Sequence, residues 1–166
     1  MKKQVYAYCP SCQAHLVKNT IDNKERLQCS DASCGFVFWN NPIPVVAIVV
    51  EVDNGIVLAH NKLAPKGVYS VITGFLEAGE HPEAAAQRET LEELGLTSEL
   101  TEFLGIYPFT RANQIVIAYH IKASGLIKLN DELDEYRIVK KDELLGWKET
   151  GTFDVGQWLA RLNVLA

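Results

Sequence analysis

All four cysteines of this 166-residue chain fall within its first 34 residues, as Cys9-Pro10-Ser11-Cys12 and Cys29-Ser30-Asp31-Ala32-Ser33-Cys34. No other feature narrows the local fold as sharply. Two short pairs, 16 residues apart, have the spacing of a four-thiolate tetrahedral zinc site, each pair forming a knuckle that turns both sulfurs inward. The residues between them read as a hairpin: Ala14 to Val17, a polar turn around Asn19 to Lys24, then Arg26 to Gln28. So short a segment has too little apolar surface to fold alone, and structural zinc contributes on the order of 10 kcal/mol. Two disulfides, or four unrelated thiols, are the alternatives, and disulfides need an oxidising compartment. Met1-Lys2-Lys3-Gln4 leads into no apolar signal segment, so the expectation is a cytoplasmic protein with a zinc ribbon at residues 1–40. Four thiolates leave no ligand position open, which makes this zinc structural. Phe36, Phe38 and Trp39 are expected to dock the ribbon onto the next domain, rather than to form a base-stacking platform.

Charge is distributed unevenly. The chain carries −5 overall, yet residues 1–40 hold Lys2, Lys3, Lys18, Lys24 and Arg26 against only Asp22, Glu25 and Asp31. That part is therefore basic by two, a surplus that a tetrathiolate zinc of charge about −2 would cancel. The remainder is acidic. Such a balance argues against nucleic acid as the main partner. The longest apolar run, Val45 to Val50, is strand-sized, so no membrane span is expected.

Asn40-Asn41-Pro42-Ile43-Pro44 is the best domain boundary, leaving 41–166 as a second domain. In it, Val45 to Val52 reads as a buried strand, Asp53-Asn54-Gly55 as a hairpin turn and Ile56 to His60 as the next strand. Further strands are predicted at Val68 to Thr73, Phe103 to Tyr107, Gln114 to Ala123 and Tyr136 to Val139. Pro82 and Gly95 bracket a helix over 82–94. A closing helix is predicted over Asp154 to Leu165, with Val155, Trp158, Leu159 and Leu162 on one face. Mixed strands between helices make an α/β chain with a sheet packed between helical layers.

On the 82–94 helix, Glu89, Glu92 and Glu93 stand at i, i+3 and i+4, so three carboxylates share one side. Like charges so placed repel and should gather a cation. Oxygen-only donors suit a hard ion, magnesium or manganese.

The run that contains them resembles the Nudix signature, G-x5-E-x7-R-E-U-x-E-E-x-G-U, in which U is a bulky aliphatic residue. Gly74, Glu80, Arg88, Glu89, Glu92, Glu93, Gly95 and Leu96 match it at the required spacing, and Thr90 stands at one aliphatic position. A paired-cysteine ribbon, an Asn-Pro junction and this motif, in that order, are similar to the zinc-ribbon branch of Nudix hydrolases, which includes NADH pyrophosphatases and enzymes acting on ADP-ribose and FAD. The resemblance implies an α/β/α Nudix sandwich with a mixed sheet. It also implies metal-dependent cleavage of the diphosphate in a small nucleotide derivative.

Residue by residue, the resemblance makes Glu89 and Glu93 metal ligands together with the backbone carbonyl of Thr73. Glu92 would hold a further ion or position water. Gly74 and Gly79 would let the loop turn near the metals, and Glu80 and Arg88 would tie loop to helix. An additional carboxylate would come from Asn130-Asp131-Glu132-Leu133-Asp134-Glu135, as Glu132 or else Glu135, acting as ligand or general base. A homodimer is also implied. NADH-type members carry Ser-Gln-Pro-Trp-Pro-Phe-Pro-x-Ser after the motif, whereas this chain has Gly105-Ile-Tyr-Pro108-Phe109-Thr-Arg111-Ala-Asn113. The reading is therefore an ADP-ribose- or FAD-type hydrolase, with NADH cleavage or a non-catalytic sensor as alternatives. Arg111 is the candidate phosphate contact, and Tyr107, Phe109 and Tyr69 are the candidate base stackers.

Overall fold

The computed structural model describes residues 6–53, 55–145 and 158. The chain divides into two compact units, residues 1–41 and 42–166.

In the first unit, β1 (Leu16–Ile21), β2 (Lys24–Cys29) and β3 (Val37–Phe38) form an antiparallel sheet in that order. Ile21 pairs with Lys24 across Asp22 and Asn23, whose φ angles of 50° and 60° make the two-residue turn that suits a twisted hairpin. Of the residues described in this unit, only Cys9 and Cys29 are buried. Within the unit, Phe38 packs against Tyr6, and Trp39 lies beneath the Arg26 guanidinium at 4.7 Å.

In the second unit, β4 (Ile43–Val52), β5 (Gly55–Asn61), β6 (Ile72–Phe75), β7 (Thr97–Phe109), β8 (Gln114–Ser124) and β9 (Leu133–Val139) make a mixed sheet. Its order is β7-β8-β4-β5-β9, with β6 also paired to β4. The β4 and β8 strands run parallel, and the other pairings are antiparallel. The apolar run in β4 is buried on both faces. Val45, Ala47 and Val49 pack with Leu144 of α2 (Lys141–Leu145) and with Trp158, while Val46, Ile48 and Val50 pack with Ala85, Ala86 and Leu94 of α1 (Pro82–Leu94). A continuous apolar strand, rather than an alternating one, is what two covered faces require.

The α1 helix occupies the span its bracketing residues predict. His81 caps its start by accepting from the Glu83 N–H, and Gly95, at φ 68°, sends its N–H to the Leu91 carbonyl. Elsewhere the elements differ from expectation. In place of a strand at 68–73, Ser70 makes one bridge to Ala59 and the strand falls at Ile72–Phe75. The β7 strand is 13 residues long rather than five, because register shifts at Ser98/Leu100 and Phe103/Gly105 keep it paired while its side-chain alternation breaks. β9 starts three residues early, at Leu133. The closing helix lies outside the described residues except for Trp158, which is helical and buried; Asn54 of the hairpin turn also lies outside them. Among the described residues no helix is long and apolar enough to cross a membrane.

Candidate active site and metal centres

The β6 strand delivers the chain to the loop 76–81, and α1 then carries its i, i+3, i+4 carboxylates back beside that strand. Glu89, Glu92 and Glu93 consequently line one cavity of about 510 Å³ with Thr73, Gly74 and Phe75. Glu132, just before β9, reaches the same cavity. So do Asn61, Ser70, Phe109, Gln114 and Asn130. Among the described residues that line it, no lysine or arginine appears.

Gly74 is tied to this arrangement by space. A Cβ there would sit 2.0 Å from both the carboxyl carbon and Oε1 of Glu89, so the Glu89 side chain lies directly on the glycine backbone. Arg88 is the organising cation. Its Nε and Nη2 donate to the two oxygens of Glu80 at 2.8 and 2.9 Å, its Nη2 to the Phe75 carbonyl at 3.1 Å, and its Nη1 to Glu89 at 2.7 Å and Glu92 at 3.0 Å. Loop, strand end and helix thus meet on one guanidinium whose planar fork suits several carboxylates. The guanidinium holds the Glu80 carboxyl down to about 2, helped by the Glu77 N–H. Gly79 takes φ 82° in the turn that presents Glu80.

The inner glutamates are pushed the other way. Burial, then repulsion from Glu89, Glu132 and Glu92, drives Glu93 up to about 8. Glu89 is also raised, by burial first, although Arg88 opposes it. Two carboxylates withdrawn from water, Glu89 and Glu93, beside the exposed Glu92 and Glu132, make an oxygen-only donor set chemically suited to a hard divalent cation. Thr90, at the aliphatic motif position, is fully buried and satisfies its hydroxyl on the Ala86 carbonyl at 2.8 Å.

The structure separates the remaining candidates. Glu135 lies outside the cavity lining and accepts from the Tyr69 hydroxyl, whereas Glu132 lines the cavity and acts electrostatically on both Glu89 and Glu93. Tyr69 cannot offer a free face to a base: it is 2% exposed, in the core, with Arg137 stacked at 4.1 Å from its ring centre. Tyr107 is half-buried against Trp158, and Arg111 is exposed on the β7–β8 turn; neither lines the cavity. Of the proposed substrate contacts, only Phe109 does. Phe75 escapes sequence reasoning because its exposure depends on where β6 ends, and Asn61, Ser70 and Gln114 because they come from separate strands and a bridge.

The four cysteine sulfurs lie within 4.8 Å of one another, the one such ligand cluster among the described residues. Cys9 and Cys34 are 3.7 Å apart, and Cys12 and Cys29 3.4 Å. No disulfide joins them. Corners of a zinc tetrahedron with bonds of about 2.3 Å are about 3.8 Å apart, so the donor set and its spacing fit zinc.

Residues 41–162 match the family model described as NUDIX domain. The chain belongs to the Nudix family. Its curated relatives include proteins named NAD-capped RNA hydrolase NudC, from Vibrio atlanticus (31% identity, 74% of this chain, 44% of the relative) and Vibrio vulnificus (28%, 90% and 56%). This Nudix chain therefore spans about half the length of the curated relatives it matches. A Nudix hydrolase structure from Nitrosomonas europaea superposes with a TM-score of 0.77 at 24% identity, covering 94% of this chain and 89% of that one. The MutT protein of Methanosarcina mazei Go1 superposes at 0.61 with 22% identity, over 75% and 96%. Both share the fold.

Proposed function

We propose that this Nudix hydrolase cleaves the diphosphate linkage of a nucleoside diphosphate derivative, of the ADP-ribose or FAD type, with magnesium or manganese. The observation that carries the reading is the meeting of Glu89, Glu92, Glu93 and Glu132 in one cavity whose described lining has no cationic side chain. A diphosphate entering it unaided would meet only negative charge. A bound divalent cation supplies the missing charge neutralisation and lowers the pKa of water enough to make it a nucleophile.

In this reading Glu89 and Glu93 hold the ion with the Thr73 carbonyl, and Glu92 holds a further ion or orients water. Glu132 is a ligand or takes the water's proton. Glu80 and Arg88 keep loop and helix in register, and Gly74 leaves room for Glu89. Phe75 and Phe109 offer rings to a base, and Asn61, Ser70 and Gln114 offer neutral hydrogen-bonding groups to the rest of the substrate. Cys9, Cys12, Cys29 and Cys34 hold a structural zinc.

A second reading is cleavage of NAD-type dinucleotides, free or as RNA caps. It is favoured by the names of the relatives and by Phe109, which survives from the Pro-Phe of the NADH pattern and lines the cavity. The test is a hydrolysis panel of ADP-ribose, FAD, NADH, diadenosine polyphosphates and damaged nucleoside triphosphates, with magnesium or manganese, beside Glu93→Gln. Turnover of the first two, lost in the variant, is expected. Faster turnover of NADH would move the assignment to the second reading, and no turnover of any would favour a sensor.

A further inference from the structure

We propose that Asn130 is a positioning residue that sets Glu132 against the helix glutamates, an inference that rests on the cavity being the diphosphate-cleaving site. Asn130 holds two separate pieces of the site at once. Its backbone N–H donates to the Glu93 carbonyl at 3.2 Å, while its side-chain Oδ1 accepts from the N–H groups of Glu132 at 3.0 Å and Leu133 at 3.3 Å. One residue thus fixes the distance between the end of α1, which carries Glu93, and the backbone that carries Glu132.

The segment is laced on either side of that joint. Lys128 donates its N–H to the Leu94 carbonyl at 2.8 Å. Lys62 donates its N–H to the Glu132 carbonyl at 3.0 Å and its Nζ to the Asp131 carbonyl at 2.5 Å. Leu133, the next residue, is buried in the core cluster on the α1 face. The Glu132 backbone is held from three directions. Its carboxylate, by contrast, makes no hydrogen bond or ion pair among the described residues, and it is felt electrostatically by Glu89 and Glu93. A pinned backbone under an uncommitted carboxylate is the arrangement expected of a group that must meet a ligand in a set place. Partners that orient a metal ligand typically matter by about ten- to a hundredfold in affinity or activity.

The side chain's part is its acceptor. Asn130→Ala removes it, whereas Asn130→Asp keeps an oxygen for the same two N–H groups. The full chain is assayed for turnover of the best substrate of the panel, and for Mn²⁺ binding alone by loss of the free ion's paramagnetic resonance signal. Asn130→Ala should lower kcat about tenfold, leave KM within about twofold and weaken Mn²⁺ binding about tenfold. Asn130→Asp should recover most of both. Placed in a Glu132→Gln background, Asn130→Ala should add less than about twofold, because it acts through Glu132.

Three results would overturn the proposal: Mn²⁺ binding unchanged in Asn130→Ala, an Asn130→Ala loss undiminished in Glu132→Gln, or Asn130→Asp as impaired as Asn130→Ala. A wild-type chain that hydrolyses none of the panel, yet shows the Mn²⁺ differences, would retire the catalytic reading and leave the positioning role standing.

Discussion

At Glu93 the fold and the chemistry pull against each other. The residue is 8% exposed, and its carboxyl faces Glu89, Glu132 and Glu92 and is pushed up to about 8. A carboxyl whose folded pKa is raised binds more protons in the native state than in the unfolded one. In protein free of magnesium and manganese it is harmless below its unfolded value near pH 4.3, and it subtracts stability as pH rises from there through about 8. Glu93→Gln cannot ionise, so without magnesium or manganese the variant should be more stable than wild type at pH 8.5, by on the order of a few kcal/mol, and the gap in melting should close toward pH 5. Parallel melting curves at the two pH values would show that the burial is already relieved. Gly74 presents the steric version of the same tension. Gly74→Ala pushes a methyl group onto a carboxyl group 2.0 Å away, and the flexible Glu89 side chain will yield before β6 does. The expected result is a loss of about ten- to a hundredfold in turnover with melting temperature almost unchanged, which a paired activity and thermal-melt measurement checks. Retained activity would mean that Glu89 need not lie where it does.

At the scale of elements, the β5–β9 pairing carries a side-chain strut. His60 on β5 is buried, meets Asp134 of β9 at 2.6 Å and contacts the Pro65 carbonyl, and the hydrogen bond that its ring donates to the Asp134 carboxylate raises its pKa. A raised histidine adds stability that is fully present below its unfolded pKa near 6.5 and is lost as pH rises through the folded value. Melts across pH 5.5 to 8.5 should therefore fall more steeply for wild type than for His60→Gln, and equal slopes would remove the strut from the account. That strut joins two strands that sequence patterning treats differently, and the reason is general here. The α1 helix is legible to the residue because Pro82 and Gly95 punctuate it, and β4 because an unbroken apolar run needs two covered faces. β7 and β9 are edge strands. The polar Thr97–Glu102 stretch and the exposed Asp134 and Glu135 show no clear alternation, so their pairing is decided by neighbours far away in sequence. The site divides along the same line. Glu89, Glu92 and Glu93 share a helix, and their convergence comes from spacing, whereas the burial of Tyr69 and the entry of Phe75, Asn61 and Gln114 into the cavity depend on how strands stack.

For the molecule as a whole, the two units differ in what holds them. The 42–166 unit has a sheet with apolar clusters on both faces. In the 1–41 unit the only buried residues among those described are Cys9 and Cys29, two of the four sulfurs in the cluster. With its apolar residues such as Leu16, Leu27, Phe36 and Phe38 only part-buried, its three short strands cannot offset chain entropy of about 1–2 kcal/mol per ordered residue. Zinc, at on the order of 10 kcal/mol, is the term large enough to close that gap. Removing it from the full chain with a zinc-selective chelator, magnesium being kept in excess, should unfold residues 6–41 and leave the larger unit native. Limited proteolysis read by mass spectrometry would then show cuts confined to the first forty-one residues, reversed by added zinc. Cuts spread equally through 42–145 would mean that the larger unit draws stability from the smaller, and an unchanged protease pattern would mean that the thiols are not what holds the ribbon together.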